Sequence, residues 1–258
     1  MLSVLYEDKE IIVVEKPAGL ESQSSRGFGA DMVSEIRSHL ASAACPQNIH
    51  KMGTSKPGRL GISAPPYVGV IHRLDKPVGG IMVYGKTPRA SAALSASLQA
   101  GEINKRYLAV VCGKPVDNQG AYVDYLLQDR KNNRSDIVDK SVPGSKKGEL
   151  NYRVRQVIHR EVQGQQREYA LVEVELLTGR HHQIRAQLSG HGTPLCGDRK
   201  YGGEAAPAAP GLALWAFFLS FPHPVTGKRM TFERMPAGGA FAWFGAEPAG
   251  QEKLSPDD

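Results

Sequence analysis

Cysteine is scarce in this sequence. Only Cys45, Cys112 and Cys196 occur among 258 residues, too widely spaced for a C-x-x-C pair and odd in number for a closed disulfide framework. That usage fits a reducing compartment, and a cytoplasmic location is expected. Long apolar runs are missing as well: nothing reaches the length of a membrane-spanning helix, residues 212–221 read as a short buried strand, and no charged-then-apolar leader opens the chain. No membrane association is expected. Acidic residues are in deficit, 26 Asp and Glu against 32 Lys and Arg, and the net charge of +6 favours an anionic partner such as a polynucleotide. His181, His182 and His191 lack a Cys or carboxylate to complete a metal set, and adjacent helical histidines point in different directions, so no metal is expected.

What is present is a strand-rich pattern. VLYEDKEIIVVEKPAGL reads as two extended segments around the turn Glu7-Asp8-Lys9, closed by Pro17 and Gly19. Asp31 caps a helix with apolar positions Val33, Ile36 and Leu40 that stops before Pro46, and residues 45–66 read as a surface loop. Thr87 and Pro88 start a second helix, which Gly101 ends. Further strands are expected at 67–71, 80–85, KRYLAVVCG, ELNYRVRQVI, EYALVEVELL, LALWAFFLSF and KRMTFE, with a short helix near 181–189. Strands outnumber helices and lie close together, which suits hairpins better than repeated βαβ units. The expectation is a mixed α+β fold with a mostly antiparallel central sheet, one domain over 1–244 and a frayed tail over 245–258.

Gly80-Ile-Met-Val-Tyr-Gly-Lys-Thr87 matches the phosphate-loop pattern G-x-x-x-x-G-K-[ST] letter for letter. A phosphate loop must bend between its glycines so that backbone N–H groups wrap the phosphates. Ile81, Met82, Val83 and Tyr84 favour extension instead, so the glycines fall at opposite ends of a strand and no nucleotide cofactor is expected.

Three other segments carry chemistry together. His72-Arg73-Leu74-Asp75 enters a Pro-Gly turn, Lys105-Arg106-Tyr107 begins a strand, and Thr178-Gly179-Arg180-His181-His182-Gln183-Ile184-Arg185 crosses from strand to helix. With LYEDKEIIVVEKPAGL before them and GTPLCGDRKYGG and FPHPVTGKRMTF after, these motifs resemble in order those of the RluA-like pseudouridine synthases, which isomerise uridine in ribosomal or transfer RNA. The resemblance covers some 230 residues.

It implies that Asp75 is the catalytic carboxylate, acting by covalent attack on sugar or base or by removing a sugar proton. Arg185 would pair with Asp75 and favour its charged form. Tyr107 would stack on the target uracil and is a candidate for moving the carbon-5 proton. Arg73 would fill the gap left by the flipped nucleotide. His72, Arg180 and Lys105 complete the candidate substrate-binding set, although structural hydrogen bonds are an alternative for His72, and for Arg180 structural and phosphate-binding roles both stay open. The chemistry is redox-neutral, so no cofactor is expected. The sequence departs from the family pattern at Val78-Gly79-Gly80, which replaces Thr-Ser-Gly and suggests a more mobile turn, and at His181, where Thr or Ser is common.

Residues 129–148 hold six Lys or Arg against three Asp and read as a charge-rich loop, a candidate phosphate-contacting flap beside Lys51, Lys56 and Arg59. The resemblance begins at the first residues, so no separate amino-terminal RNA-binding module is expected, and the expected state is a monomer. The main rival reading is an RNA-binding module without catalysis. A glycoside hydrolase would want a second carboxylate flanking the same bond, and none is evident beside Asp75.

Overall fold

The computed structural model describes residues 2–24, 29–44, 64–162, 164–203, 209 and 211–245. Lys51, Lys56, Arg59 and Cys45, the rest of the loop to residue 63, and the tail from 246 onward lie outside the described residues. In chain order the elements are β1 (Ser3–Glu7), β2 (Ile11–Lys16), α1 (Met32–Ala44), β3 (Gly69–Val70), β4 (Gly79–Gly85), α2 (Pro88–Gln99), β5 (Asn104–Cys112) and β6 (Gln119–Asp129). They continue with β7 (Arg134–Val138), β8 (Lys146–Val162), β9 (Gln165–Leu176), α3 (Gln183–Gly190), β10 (Leu214–Pro222) and β11 (Arg229–Glu233). Among the described residues the strands form one 11-stranded sheet in the order β1-β2-β4-β10-β5-β9-β8-β6-β7, with β3 on β4 and β11 on β10. Pairing is antiparallel except where β10 meets β4, so the mixed, mostly antiparallel α+β expectation holds.

Strand alternation sends side chains to two faces. Met82 and Tyr84 of β4 join Met32, Val33 and Ile36 of α1 on one face, whereas Ile81 and Val83 meet Ala90 and Leu94 of α2 on the other. The helix starts follow capping chemistry. Asp31 Oδ1 accepts the Ser34 N–H at 2.7 Å, and Thr87 Oγ1 accepts the Ala90 N–H at 3.1 Å. Ile81 to Tyr84 are fully buried in an extended strand, and Lys86 Nζ, 2.6 Å from Glu7 Oε1, is tied to β1 rather than to an anion cradle. No described helix is long and apolar enough to cross a membrane.

Two expectations change. The charge-rich stretch 129–148 is largely the β6–β7 hairpin turn, β7 and the start of β8, not an irregular loop. Its charges suit the outermost strand of a sheet, where they discourage pairing with another edge. The Val78-Gly79-Gly80 turn is packed rather than slack. A Cβ on Gly79 would lie 2.2 Å from the Trp215 ring, and one on Gly80 would lie 2.3 Å from the Ala216 carbonyl oxygen. Trp215 therefore fills the space that a side chain at residue 79 would take, and its indole is fixed by a 2.7 Å bond to the Arg234 carbonyl.

Candidate active site

Asp75 sits in the turn that leads into β4, and several backbone ties hold that turn. Ser22 Oγ accepts the Leu74 N–H at 3.0 Å and donates to the Leu74 carbonyl at 2.8 Å, the Val78 N–H closes onto the Asp75 carbonyl at 2.9 Å, and the Gly19 N–H bonds the Lys76 carbonyl at 2.8 Å. Beneath it lies Lys16, which is fully buried at the end of β2. Its ammonium donates to the carbonyls of Leu20 at 2.6 Å, Pro17 at 3.1 Å and Lys76 at 3.2 Å. Burial draws the Lys16 pKa down to about 8, opposed by the charge of Asp75. Lys16 was not singled out by sequence reasoning. The available signal was a lysine closing the apolar run IIVVE just before Pro-Ala-Gly.

Arg185 reaches the same point from α3. Gln183 sets the start of that helix: its Oε1 accepts from the Thr178 hydroxyl at 2.8 Å and the Arg180 N–H at 3.0 Å, while its Nε2 donates to the Glu149 carbonyl at 3.0 Å. One turn is thus bound to β8 and the next residues are forced inward, burying Gln183 through Leu188. Arg185 Nη1 lies 3.7 Å from Asp75 Oδ2. Its main partner is Asp198, a fully buried carboxylate that receives Nε and Nη2 in a bidentate pair of 2.8 Å bonds. The expected Arg185–Asp75 pair is therefore the looser half of a three-member array, and Asp198, also missed as a site residue, fixes the guanidinium. Its signal was the lone acid in GDRKYGG.

A second line of polar groups ends on Asp75. The Tyr201 hydroxyl accepts the Ser135 N–H at 2.7 Å and lies 2.9 Å from His182 Nδ1. The other ring nitrogen, Nε2, sits 3.5 Å from Asp75 Oδ2. His182 is neutral because burial, then the charge of Arg185, pushes its pKa down to about 3. His181 stacks on it at 3.8 Å and joins Ser135 Oγ at 2.9 Å and Asn133 Oδ1 at 3.0 Å, so the departure at this position couples α3 to the β6–β7 hairpin.

Tyr107 and Lys105 alternate on β5, so both face the side of the sheet that carries the Asp75 turn. Tyr107 is buried, and its hydroxyl pKa is pushed up by burial and by the charge of Asp75. Half-buried Lys105 has its pKa lowered by burial, and its ammonium lies 4.0 Å from where a Gly179 Cβ would be. Arg106 turns to the opposite face, where it pairs with Glu173 at 3.2 Å and stacks 3.8 Å over Phe218.

The remaining candidates separate. Arg73 is exposed and makes no hydrogen bond or ion pair among the described residues. His72 faces the β4 backbone, its Nε2 accepting the Val83 N–H at 3.3 Å, and burial followed by Lys105 lowers its pKa to about 3. That is a structural bond, and the structure does not bring His72 to Asp75. Arg180 is likewise engaged elsewhere, its Nε donating to the Lys147 carbonyl at 2.8 Å.

For Asp75 itself, burial raises the pKa and outweighs Arg185, His181 and Lys16, which lower it. This differs from the expectation that Arg185 would dominate, because Asp198 takes the better half of that guanidinium. The carboxylate keeps 30% of its side chain exposed while Arg185 beside it keeps 8%. A nucleophile or base open on one side and surrounded by fixed donors on the other can react with a group presented from solvent.

The geometry agrees with what this chain is similar to. The pattern defining the RNA pseudouridylate synthase family matches residues 10–190, a span that includes Lys16, Asp75, Tyr107, His182 and Arg185. The ribosomal large subunit pseudouridine synthase D of Pseudomonas aeruginosa is 32% identical over 257 residues, covering 94% of this chain and 70% of that protein. Its namesake from Zymomonas mobilis is 31% identical over 241 residues, covering 90% and 68%. Human RNA pseudouridylate synthase domain containing 1 superposes with a TM-score of 0.68 over 92% of this chain and 84% of that one, at 18% identity, a likeness of fold. With a partly exposed aspartate, its arginine and its tyrosine lying within the matched span, the chain belongs to the RNA pseudouridylate synthase family and is an RNA pseudouridine synthase.

Proposed function

We propose that Asp75 is the catalytic carboxylate and that the substrate is a uridine of ribosomal RNA. The observation that carries the first part is the convergence of the Arg185–Asp198 pair and the His182–Tyr201 line on one open carboxylate. The names of the bacterial relatives support the second. Asp75 in its charged form either attacks the sugar or base or removes a sugar proton, so that the uracil detaches, turns and rejoins through carbon 5. Arg185 and His182 steady the carboxylate. Lys16 adds a buried positive charge behind it.

Tyr107 is the platform against which the uracil rests. Its hydroxyl is held protonated by burial and by Asp75, so it takes up the carbon-5 proton only while passing its own to a water molecule in the cleft. Arg73, exposed and unengaged, enters the stack that the target nucleotide leaves. Lys105 meets a phosphate close to the cleft. The test is to incubate the protein with large-subunit ribosomal RNA and, separately, transfer RNA from a strain lacking the gene, and to map new pseudouridines. Modification confined to transfer RNA would overturn the substrate, and modification by an Asp75→Ala protein would overturn the catalytic assignment.

A further inference from the structure

Tyr107 occupies one face of β5 and Cys112, at the end of the same strand, packs toward the other, against the cluster that contains Leu108, Val110 and Cys196. The Cys112 and Cys196 sulfurs lie 3.3 Å apart. Backbone pairing places them there. The Cys112 N–H bonds the Pro194 carbonyl at 2.9 Å and the Cys196 N–H bonds the Val110 carbonyl at 2.8 Å, on either side of an antiparallel bridge between Val111 and Leu195. Two thiols held diagonally across such a bridge need only a small side-chain adjustment to reach bonding distance.

The pair is asymmetric. Cys196 is fully buried, whereas Cys112 is partly exposed and lines a surface pocket of about 320 Å³ with Gly113, Arg167, Glu168 and Pro194. Contact with Cys196 and the charge of Arg167 lower the Cys112 pKa against the effect of burial, and that contact together with burial pushes the Cys196 thiol up. The exposed sulfur, beside Arg167, is the one a reagent can reach, and its partner lies behind it.

We infer that Cys112 and Cys196 form a reversible oxidation site, in which a small hydroperoxide entering through the pocket oxidises Cys112 and Cys196 resolves it to an intramolecular disulfide. In the first step the Cys112 thiolate attacks the terminal peroxide oxygen. The O–O bond breaks, Cys112 becomes a sulfenic acid, and the leaving oxyanion takes a proton to become an alcohol or water. In the second, the Cys196 sulfur attacks the Cys112 sulfur, an S–S bond forms, the S–O bond breaks, and hydroxide leaves with the Cys196 proton as water. The two sulfurs together lose two electrons and the peroxide gains them. An external dithiol reverses the change by exchange. The bond would tether β5, which carries Tyr107, to the segment that carries Asp198 two residues after Cys196.

Hydrogen peroxide is the probe. The full chain is oxidised under native conditions, remaining thiols are alkylated, and a digest without reductant is mapped by mass spectrometry. The expected product is a Cys112–Cys196 linked peptide pair lacking two hydrogens, lost again after dithiothreitol. In a Cys196→Ser protein, and in Cys196→Ala should the serine fold poorly by circular dichroism, dimedone is expected to trap a sulfenic acid at Cys112, whereas Cys112→Ser leaves Cys196 unoxidised. Absence of the linked pair in the folded wild-type protein, or linkage through Cys45 in its place, would overturn the inference without bearing on uridine isomerisation.

Discussion

Asp198→Asn keeps the shape of the group that grips Arg185 and removes its charge. Both partners are buried, and the wild-type pair is bidentate at 2.8 Å on each arm. Removing one member of a buried ion pair leaves the other uncompensated, which costs about 3 kcal/mol. For a domain of this size that is a fall of about 6–12 °C in Tm. The pH dependence follows from the direction of the Asp198 pKa. Burial would raise it, but Arg185 and the N–H groups of Tyr201 and Lys200 bring it below the usual carboxylate value. A carboxylate with a depressed folded pKa contributes stability that is complete above its unfolded value, about 3.9, and is lost as the pH falls through the folded value. Thermal melts of the two proteins are therefore expected to differ by a constant amount between about pH 8 and pH 5 and to converge below about pH 4. Loosening Arg185 also loosens Asp75, so kcat is expected to fall about 100-fold with RNA affinity unchanged. A variant as stable as the parent, or a gap that persists undiminished to about pH 3, would show that Asp198 does not hold a stabilising buried charge against Arg185.

Tyr107→Phe keeps the ring and loses the hydroxyl; RNA binding is expected to hold while single-turnover isomerisation slows by about 100-fold or more, and an unchanged rate would leave the hydroxyl without a proton-transfer role. Gly79→Ser drives a side chain into Trp215 and is expected to cost about 1–3 kcal/mol in a denaturant titration, most of it recovered in the Gly79→Ser/Trp215→Ala double variant; equal stabilities would show that the ring moves freely. Lys16 has a folded pKa of about 8 against 10.5 for the free side chain, so between those values the unfolded chain binds the extra proton and the Lys16 contribution makes stability rise with pH. Thermal melts of wild type and Lys16→Met across that interval are expected to diverge in slope, and parallel slopes would count against the lowered Lys16 pKa.

Much of the fold could be read from periodicity because strands and helices with a buried face leave a clear pattern. Asp31, Thr87 and Pro88 marked their helices, and the β-favouring run Ile81–Tyr84 exposed the false phosphate loop. β6 and β7 left little trace because most of their positions are partly or fully exposed, so no apolar alternation distinguishes them from a charged loop. Asp75, Arg185 and Tyr107 stood out as candidates through ordered motifs. Asp198 and Lys16 were not, because their roles depend on which carboxylate and which carbonyls the fold places around them, contacts that cross 13 residues in one case and 60 in the other. Gly79 misled for a similar reason: its missing side chain is compensated by Trp215, far along the chain.

Wild-type and Asp75→Asn proteins, each shown to be folded and to bind RNA, are incubated with RNA carrying uridine tritiated at carbon 5, without ATP or added metal, and tritium release is followed. Release by the wild type is expected, and none above background by Asp75→Asn at equal RNA occupancy. Release by the variant at a rate near that of the parent would show that a group other than Asp75 performs the isomerisation.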